Sequence, residues 1–363
     1  MRRILNNDIT IIFLGAGASQ ADGAPLQNDL FREYFKYNKS LPEINRMRSE
    51  WDSELNMFFK MFYGIDIEQT SDFDNVCFPT FEEVLGVLEI AISQEESFKN
   101  WDTSSLANNY KNPRLPHIHS LLILLIAEII AHKLEGDSHY HPLLVNNLKK
   151  RDLLEKTSFI SLNYDILIDN TLMEVQDAFD LDYTVDFVNP EEFYKPREKR
   201  VKLFKLHGSL NWLYCPTCRS LRITPKEKGV CKLKYKIDDC VCDECNTLAI
   251  PIIIPPTYFK ALSNLYLRQI WNNAEIELMK CNKIVFCGYS FPDADIHIRY
   301  LLKRIEVNME NTPEIFIVNN HSKNNDQRIN IERERYMRFF KDKQRVNFTE
   351  LTFQQYAENP SLI

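Results

Sequence analysis

The chain has 363 residues, of which 44% are hydrophobic and 26% are charged, a globular balance that excludes an intrinsically disordered protein. This length accommodates one large domain with insertions, or two domains. The formal net charge of -7 gives no general attraction to nucleic acid, so we expect no direct binding of DNA or RNA.

The first predicted element is a buried strand over residues 8–14, which are almost all apolar. It continues into the loop Gly-Ala-Gly-Ala-Ser at 15–19, whose glycines permit a tight turn and the close approach of a diphosphate. The redox dinucleotide fingerprint would also need Gly or Ala at Gln20 and an acidic residue ending the next strand, whereas the nearest candidate, Glu33, lies in a helical pattern. The loop therefore does not predict a dehydrogenase, and a purely structural turn remains an alternative.

Helical patterns dominate from Leu26 to about residue 154. Thr80 and Glu83 have the spacing of a capping box in front of one such pattern. Residues 116–134 are apolar nearly all round but are interrupted by polar residues, which predicts a helix buried in the fold or at a subunit contact and not a membrane span. Because the sequence also lacks a signal-peptide pattern at its start, we expect a cytoplasmic protein without a membrane partner.

Predicted strands alternate with helices in the second half of the chain. This alternation predicts an α/β fold with a Rossmann-like, mostly parallel sheet. In such sheets ligands bind beyond the carboxyl ends of the strands, and each predicted strand here ends in residues suited to contact a ligand. The segments and their terminal residues are 157–165 with Asn-Tyr-Asp, 201–209 with His-Gly-Ser, 283–288 with Gly-Tyr-Ser, and 314–320 with Asn-Asn.

Two Cys-x-x-Cys knuckles lie 23 residues apart in the second half of the chain. Clustered thiols in a cytoplasmic protein indicate a metal more than disulfides. Four thiolates close a tetrahedral shell with no open position for water, which predicts a structural zinc ion on Cys215, Cys218, Cys242 and Cys245. Cys240 could replace Cys242 as a ligand. Three other cysteines are predicted to be buried thiols: Cys77, Cys281 and Cys287.

The predicted organisation is one Rossmann-like core with two insertions. The core comprises residues 1–40 and 155–363. The insertions are a helical region at 41–154 and a small zinc-ribbon module of four cysteines at 212–250.

Several motifs together resemble the sirtuin-like NAD-consuming proteins, and in particular their bacterial branch in anti-phage defence. These motifs are Gly-Ala-Gly-Ala-Ser at 15–19, Asp-Gly-Ala-Pro at 22–25, Ser-Leu-Asn-Tyr-Asp at 161–165, Lys-Leu-His-Gly-Ser at 205–209 and Cys-Gly-Tyr-Ser-Phe-Pro-Asp-Ala-Asp at 287–295. They cover about residues 11–320 without the helical insertion. Sirtuins are also similar in carrying a two-knuckle zinc module after their catalytic histidine.

The resemblance implies NAD as the substrate and assigns residues to its parts. Asn163 and Asp165 match the family's Asn-x-Asp at the nicotinamide ribose, and His207 matches its catalytic histidine. The loop that would hold the NAD diphosphate consists of Gly15, Ala16, Gly17, Ala18 and Ser19. The positions that would line the adenosine half are Gly288, Ser290 and Asn319.

These residue types suit the cleavage of NAD by water. Nicotinamide is cationic while attached and leaves as a neutral molecule, so the reaction needs no acid to protonate the leaving group. The protein has to position the ribose, exclude bulk water and orient a nucleophile, which Asn163 can hydrogen-bond and from which His207 can accept a proton. Asp165 either stabilises developing positive charge or only caps the following helix through an Asx turn. The sequence thus predicts an NAD glycohydrolase that forms nicotinamide and ADP-ribose.

Other functions stay open. Deacylating sirtuins carry Gly-x-Pro-Asp-Phe-Arg after the glycine loop, whereas this chain has Gly-Ala-Pro-Leu-Gln-Asn-Asp, but a protein deacylase or ADP-ribosyltransferase is the second interpretation. A non-catalytic NAD or ADP-ribose sensor is the third. Since NAD depletion is lethal, a defence effector has to be silent until triggered. We expect control by homo-oligomer formation or by a separately encoded ATPase or Argonaute-like sensor.

Overall fold

A computed structural model describes residues 9–41, 49–103, 113–175, 179–189, 199–224, 229–254, 264–321 and 327–363. A seven-stranded parallel sheet lies at its centre, with strands numbered along the chain. From one edge to the other its strands are β10 (Val346–Phe348), β9 (Glu314–Val318), β8 (Lys283–Cys287), β1 (Thr10–Leu14), β2 (Thr157–Ser161), β4 (Arg200–Lys205) and β3 (Asp180–Asp182).

Helices cover both faces of this sheet and build a second region beside it. The first six are α1 (Ala16–Ala21), α2 (Leu30–Ser40), α3 (Ser49–Tyr63), α4 (Phe81–Ser93), α5 (Leu115–Lys133) and α6 (Tyr140–Lys150). The next six are α7 (Leu167–Glu174), α8 (Gly229–Tyr235), α9 (Leu265–Leu278), α10 (Ile296–Asn308), α11 (Gln327–Phe339) and α12 (Phe353–Glu358).

The central strands β1, β2 and β8 are buried along nearly their whole length because both faces of the sheet are covered. β1 lies between β2 and β8, and Ile11 to Leu14 are fully buried. The predicted α/β fold with a mostly parallel sheet is confirmed. The strand predicted at 201–209, with its end at His-Gly, is β4, which ends at Lys205. The chain turns at Leu206 and His207, and a new strand that the sequence does not predict begins at Gly208.

The new strand belongs to a smaller antiparallel sheet. β5 (Gly208–Cys215) is its middle strand, between β6 (Ser220–Ile223) and β7 (Ile250–Ile253). Trp212 of β5 packs in the core of the parallel sheet, whereas Leu210 and Leu213 pack in a second core formed with the helical region. The small sheet therefore joins the two cores.

Helices α2 to α5 build the second core around a cluster of aromatic rings. Phe35 and Phe59 lie 5.3 Å apart between ring centroids in an edge-to-face contact, and Phe31 contacts Phe59 in the same manner at 5.0 Å. The capping box predicted for α4 is present, because Thr80 accepts a hydrogen bond from the backbone N–H of Glu83 at 3.2 Å and the Glu83 carboxylate accepts one from the backbone N–H of Thr80 at 2.7 Å.

The predicted apolar helix at 116–134 is α5. By length and composition this helix is able to cross a membrane, and the core helix of a globular protein has the same properties. Of its most apolar 18-residue window, 61% is buried inside the protein, with Leu122 and Leu125 fully buried in the second core. The prediction of a buried helix is confirmed.

Packing crosses the predicted domain boundaries at two helices. Side chains of α2 belong to the second core, and those of α6 belong to the core of the parallel sheet. The Asp22 carboxylate holds the start of α6 by accepting hydrogen bonds from the backbone N–H groups of His139 at 2.7 Å and Tyr140 at 2.9 Å, and it pairs with the His141 ring. Burial raises the pKa of Asp22, but these hydrogen bonds outweigh it and lower the pKa to about 2. The division at 41–154 stays a prediction.

Candidate active site

A cleft of about 230 Å³ opens where the carboxyl ends of β1, β2 and β8 face the helical region. From the sheet side it brings together six of the predicted site residues: Gly15, Ala16, Asn163, His207, Gly288 and Ser290. From the helical side it is lined by Leu26, Gln27, Asn28 and Glu82. The site therefore lies between the two hydrophobic cores, at the edge of the sheet where the sequence places it.

The glycine loop contacts the loop after β8 backbone to backbone. Gly15 N–H donates to the carbonyl of Cys287 and Gly17 N–H to that of Gly288, both at 2.9 Å. A Cβ on Gly15 would lie 2.6 Å from the Gly288 oxygen. Gly288 itself has φ +63°, and a Cβ there would lie 2.0 Å from the nitrogen of Ala18. Glycine is thus required by this contact alone, whether or not the loop also binds a diphosphate.

Asn163 is fixed by the glycine loop. Its side-chain nitrogen donates to the carbonyl oxygen of Gly15 at 2.9 Å and to the hydroxyl of Ser19 at 2.7 Å. With both amide hydrogens engaged, the side-chain oxygen is the group that remains to accept a hydrogen bond from a ligand in the cleft. A ribose hydroxyl or a water molecule has the matching donor.

Asp165 supports the loop from behind and does not line the cleft. Its carboxylate accepts hydrogen bonds from the Ser19 hydroxyl at 2.6 Å and from the backbone N–H of Leu167 at 3.1 Å, and the residue is 5% exposed. These contacts agree with the Asx-turn alternative. Five predicted site residues lie outside the cleft lining: Gly17, Ala18, Ser19, Asp165 and Asn319.

Asn319 lies at the end of β9, away from the cleft lining. Its side-chain nitrogen donates to the carbonyl of Tyr289 at 3.1 Å and to the carboxylate of Glu332 at 2.7 Å. These bonds tie α11 to the loop after β8. The predicted contact of Asn319 with the adenosine half stays a prediction.

A buried lysine that the sequence reasoning missed lies beneath the loop after β2. Lys205 is fully buried and donates to the carbonyl oxygen of Asp165 and, at 3.2 Å, to the carboxylate of Asp169. The same carboxylate accepts a hydrogen bond from the Tyr183 hydroxyl at 2.6 Å. The available indication is its position, because Lys205 follows Val201 and Leu203 at alternate positions of β4, which are all buried. The pair holds the Asn163–Asp165 segment in place.

His207 lies in the turn between β4 and β5 and is 2% exposed. Its Nδ1 is 3.1 Å from the carbonyl oxygen of Leu162, and because a carbonyl only accepts, Nδ1 carries the hydrogen. The basic nitrogen is therefore Nε2, which lies 3.8 Å from Oδ1 of Asp295. Gly208 follows with φ +85°, where a Cβ would lie 1.8 Å from the oxygen of Ile252. This turn fixes the ring at the cleft.

Three further cleft residues with ionisable side chains were quoted in motifs but given no role: Tyr164, Tyr289 and Asp295. The hydroxyl of Tyr289 donates to Oδ2 of Asp295 at 2.9 Å. Burial is the main cause that raises the pKa of Tyr164 and of Tyr289 well above the ordinary value, with nearby carboxylates adding to it. Both phenols are neutral near pH 7.

The four knuckle cysteines form one cluster, away from the cleft. Their sulfur atoms all lie within 4.8 Å of one another, with 3.4 Å between Cys215 and Cys245 and 4.0 Å between Cys218 and Cys242. A tetrahedral zinc site with Zn–S bonds of about 2.3 Å needs sulfur separations of roughly 3.8 Å, so the donor set and its spacing fit zinc. Zinc would be held here as a structural ion, with no position left for water.

Two predictions about cysteines are corrected. Cys240 does not replace Cys242: its thiol is buried and points to the carbonyl of Lys236 at 3.8 Å. Cys77 is exposed, because the segment before α4 fills the core with Phe73 and Phe78 instead. Two cysteines are buried as predicted: Cys281 and Cys287.

We expect the purified protein to contain one zinc ion per chain, measurable by elemental analysis. Replacing Cys245 with serine should remove the metal and lower the melting temperature by roughly 5–10 °C, because binding to the folded state contributes directly to folding free energy. The matched control is Cys77→Ser, an exposed thiol outside the cluster, which should keep both metal and stability. A metal-free chain that melts at the same temperature with and without a chelator would contradict the assignment.

Comparison with known proteins now gives the family. The SIR2-like domain model matches residues 157–344, more than half of the chain, and the chain therefore belongs to the SIR2-like family. Family membership indicates NAD-dependent activity of the sirtuin type. No curated protein sequence matches the chain.

Two solved structures are similar to the chain at low identity. One is a Sir2 protein in complex with the inhibitor EX-527, 2'-O-acetyl-ADP-ribose and a deacetylated p53 peptide, with 14% identity, a TM-score of 0.39, and coverage of 96% of this chain and 90% of the other. The second concerns the mechanism and regulation of Sir2 enzymes, with 11% identity, a TM-score of 0.38, and coverage of 96% and 89%. The family assignment rests on the domain match and not on these structures.

Proposed function

We propose that this protein is an NAD glycohydrolase, which cleaves NAD with water into nicotinamide and ADP-ribose. The observation that carries the proposal is the meeting of Gly15, Asn163 and His207 at one cleft, although the three residues come from separate loops of the sheet. An amide oxygen and an imidazole nitrogen are the two groups that a hydrolytic cleavage of NAD needs to orient and deprotonate the attacking water.

The chemistry follows from the leaving group. The bond from the ribose to cationic nicotinamide breaks with its electron pair going to the ring, so the base departs neutral and the sugar develops positive charge. Asn163 would accept a hydrogen bond from a ribose hydroxyl or from water, and Nε2 of His207 would take the water proton. The position of the cleft between the two cores would limit the access of bulk water to this charge.

The segment after the glycine loop favours hydrolysis of NAD by water over a reaction with an acyl-lysine substrate. Leu26, Gln27 and Asn28 line the cleft, and they occupy the stretch where deacylating sirtuins carry Asp-Phe-Arg, whereas the preceding proline of the motif is kept as Pro25. The motif of the deacylases is thus replaced at positions that face the site. Deacylation or ADP-ribosyl transfer remains the alternative to be tested.

The decisive experiment is a time course of the purified protein with NAD that resolves nicotinamide, linear ADP-ribose and cyclic ADP-ribose. We expect nicotinamide and linear ADP-ribose in equal amounts, and a loss of at least about 100-fold in Asn163→Ala. The exposed Asn308, changed to alanine, serves as the matched control. Formation of O-acetyl-ADP-ribose only when an acetylated peptide is added would establish a deacylase. Calorimetric NAD binding without any nicotinamide release would establish a sensor.

We further propose that the protein acts in the cytoplasm as an effector of bacterial anti-phage defence. This rests on the resemblance of its motifs to that branch, and on the toxicity of unregulated NAD cleavage. Control would come from homo-oligomer formation or from a separately encoded ATPase or Argonaute-like partner. Cellular NAD in phage-infected bacteria that express the intact system should fall only after infection, and constant NAD would refute the defence role.

A further inference from the structure

A carboxylate lies beside the basic nitrogen of His207. Oδ1 of Asp295 is 3.8 Å from Nε2, and each of the two side chains is 3% exposed. This distance is longer than a hydrogen bond but within the range of an ion pair. A proton that arrives on Nε2 therefore creates a positive charge next to a buried negative one, where solvent screens the attraction weakly.

The side chains of His207 and Asp295 are each fixed by a hydrogen bond to another residue. The ring of His207 is bonded through Nδ1 to the carbonyl oxygen of Leu162 at 3.1 Å, and the second oxygen of Asp295 accepts from the Tyr289 hydroxyl at 2.9 Å. Asp295 also precedes the first residue of α10, where an aspartate commonly caps the helix, yet its side chain makes no capping bond here. Its carboxylate is directed to the tyrosine and the histidine instead.

The other ionisable groups around the ring do not substitute for Asp295. The ring centroid of Tyr164 lies 6.3 Å from that of His207, and both Tyr164 and Tyr289 are neutral phenols as described above. Lys205, on the strand leading to His207, is engaged with the carbonyl of Asp165 and with Asp169. Glu82 reaches the cleft from α4, and the ion-pair contact to Nε2 comes from Asp295.

We infer that Asp295 is a positioning residue that raises the basicity of His207 and stabilises its protonated form, with Tyr289 fixing the carboxylate. The inference rests on the proposed NAD cleavage. In that step an O–H bond of water breaks and its proton goes to Nε2, the water oxygen bonds to the ribose carbon, and the bond to nicotinamide breaks with its electrons going to the leaving ring. The proton passes from Nε2 to solvent when the products leave, and Asp295 stays ionised throughout.

The test is the pH profile of nicotinamide release by Asp295→Asn. Without the neighbouring charge, the pKa of His207 falls, so the limb on which activity rises with pH should move to lower pH by about one unit or more. The plateau rate should fall about tenfold or more, because the imidazolium loses its partner. The matched control is Asp293→Asn, two residues away, half-exposed and paired with Arg299, Arg335 and Arg338, for which the midpoint should not move.

A second readout does not depend on activity. Histidine ring signals followed by NMR should give a lower pKa for His207 in Asp295→Asn than in the unchanged protein, with the signal identified by its loss in His207→Gln. Tyr289→Phe should also lower the pKa of His207, but by a smaller amount. An unchanged pKa, or a rate that falls equally at every pH, would overturn the inference. If the unchanged protein releases no nicotinamide, the proposed function fails, and the NMR comparison still decides the pairing.

Discussion

Replacing His207 with alanine is expected to slow nicotinamide release by about 10²- to 10⁴-fold, the usual loss when a general base is removed. The ring is the group in the cleft with an acid-base range suited to accept a proton from water near neutral pH, and its Nε2 is left basic by the bond from Nδ1 to Leu162. The measurement is single-turnover release of nicotinamide from NAD, with NAD binding followed separately by calorimetry. Binding should change far less than the rate.

The variant His207→Gln distinguishes loss of the proton acceptor from loss of stability. Glutamine fills much of the same volume and keeps a donor for the Leu162 carbonyl, but it cannot accept a proton at neutral pH. It should therefore be as inactive as the alanine variant while it unfolds at nearly the normal temperature. His119, a partly exposed histidine beside Glu89 in the helical region, gives the matched control as His119→Gln. Full activity in both His207 variants would remove the catalytic assignment.

Replacing Gly288 with alanine is expected to destabilise the protein by more than about 4 kcal/mol, or to stop it from folding. The new Cβ would lie 2.0 Å from the nitrogen of Ala18 and 2.4 Å from the carbonyl carbon of Gly17, so two backbone segments would have to separate. The residue also has φ +63°, which a side chain disfavours. Urea unfolding measures the loss, and calorimetry with NAD measures the effect on the site.

Two other glycines separate the two causes of this loss, which are the positive φ and the close contact with the glycine loop. Gly64 has φ +70° but open space around its Cβ position, so Gly64→Ala should cost only about 1 kcal/mol for the backbone conformation. Gly136 has neither feature, and Gly136→Ala should leave stability within about 0.5 kcal/mol of the original. If Gly288→Ala were no worse than Gly64→Ala, the close contact between the two loops would be refuted.

Local patterns made the core elements and the metal cluster predictable. The strands that end at Leu14 and Cys287 are largely apolar runs followed by glycine. The capping box of α4 and the four-cysteine cluster are set by short spacings. The two edge strands, β3 and β10, have three residues each, which is too short for a recognisable period.

Contacts between distant segments set the rest of the site. Ser19 and Asp165 are 146 residues apart in sequence, and their hydrogen bond decides that the carboxylate supports the loop. The approach of Asp295 to His207 likewise joins two segments that are distant in sequence, the loop after β8 and the turn after β4. The same holds for Glu82, which reaches the cleft only because α4 packs beside it. No spacing along the chain carries this information.

The strand β5 has a consequence for how the protein responds to its surroundings. It begins directly after His207 and ends at Cys215, a zinc ligand by our assignment, so one strand connects the imidazole to the sulfur cluster. Oxidants or chelators that remove the zinc ion would loosen the end of β5 at Cys215, opposite the end that follows His207. The proposed activity would then depend on the zinc ion, although none of the four cysteines lines the cleft.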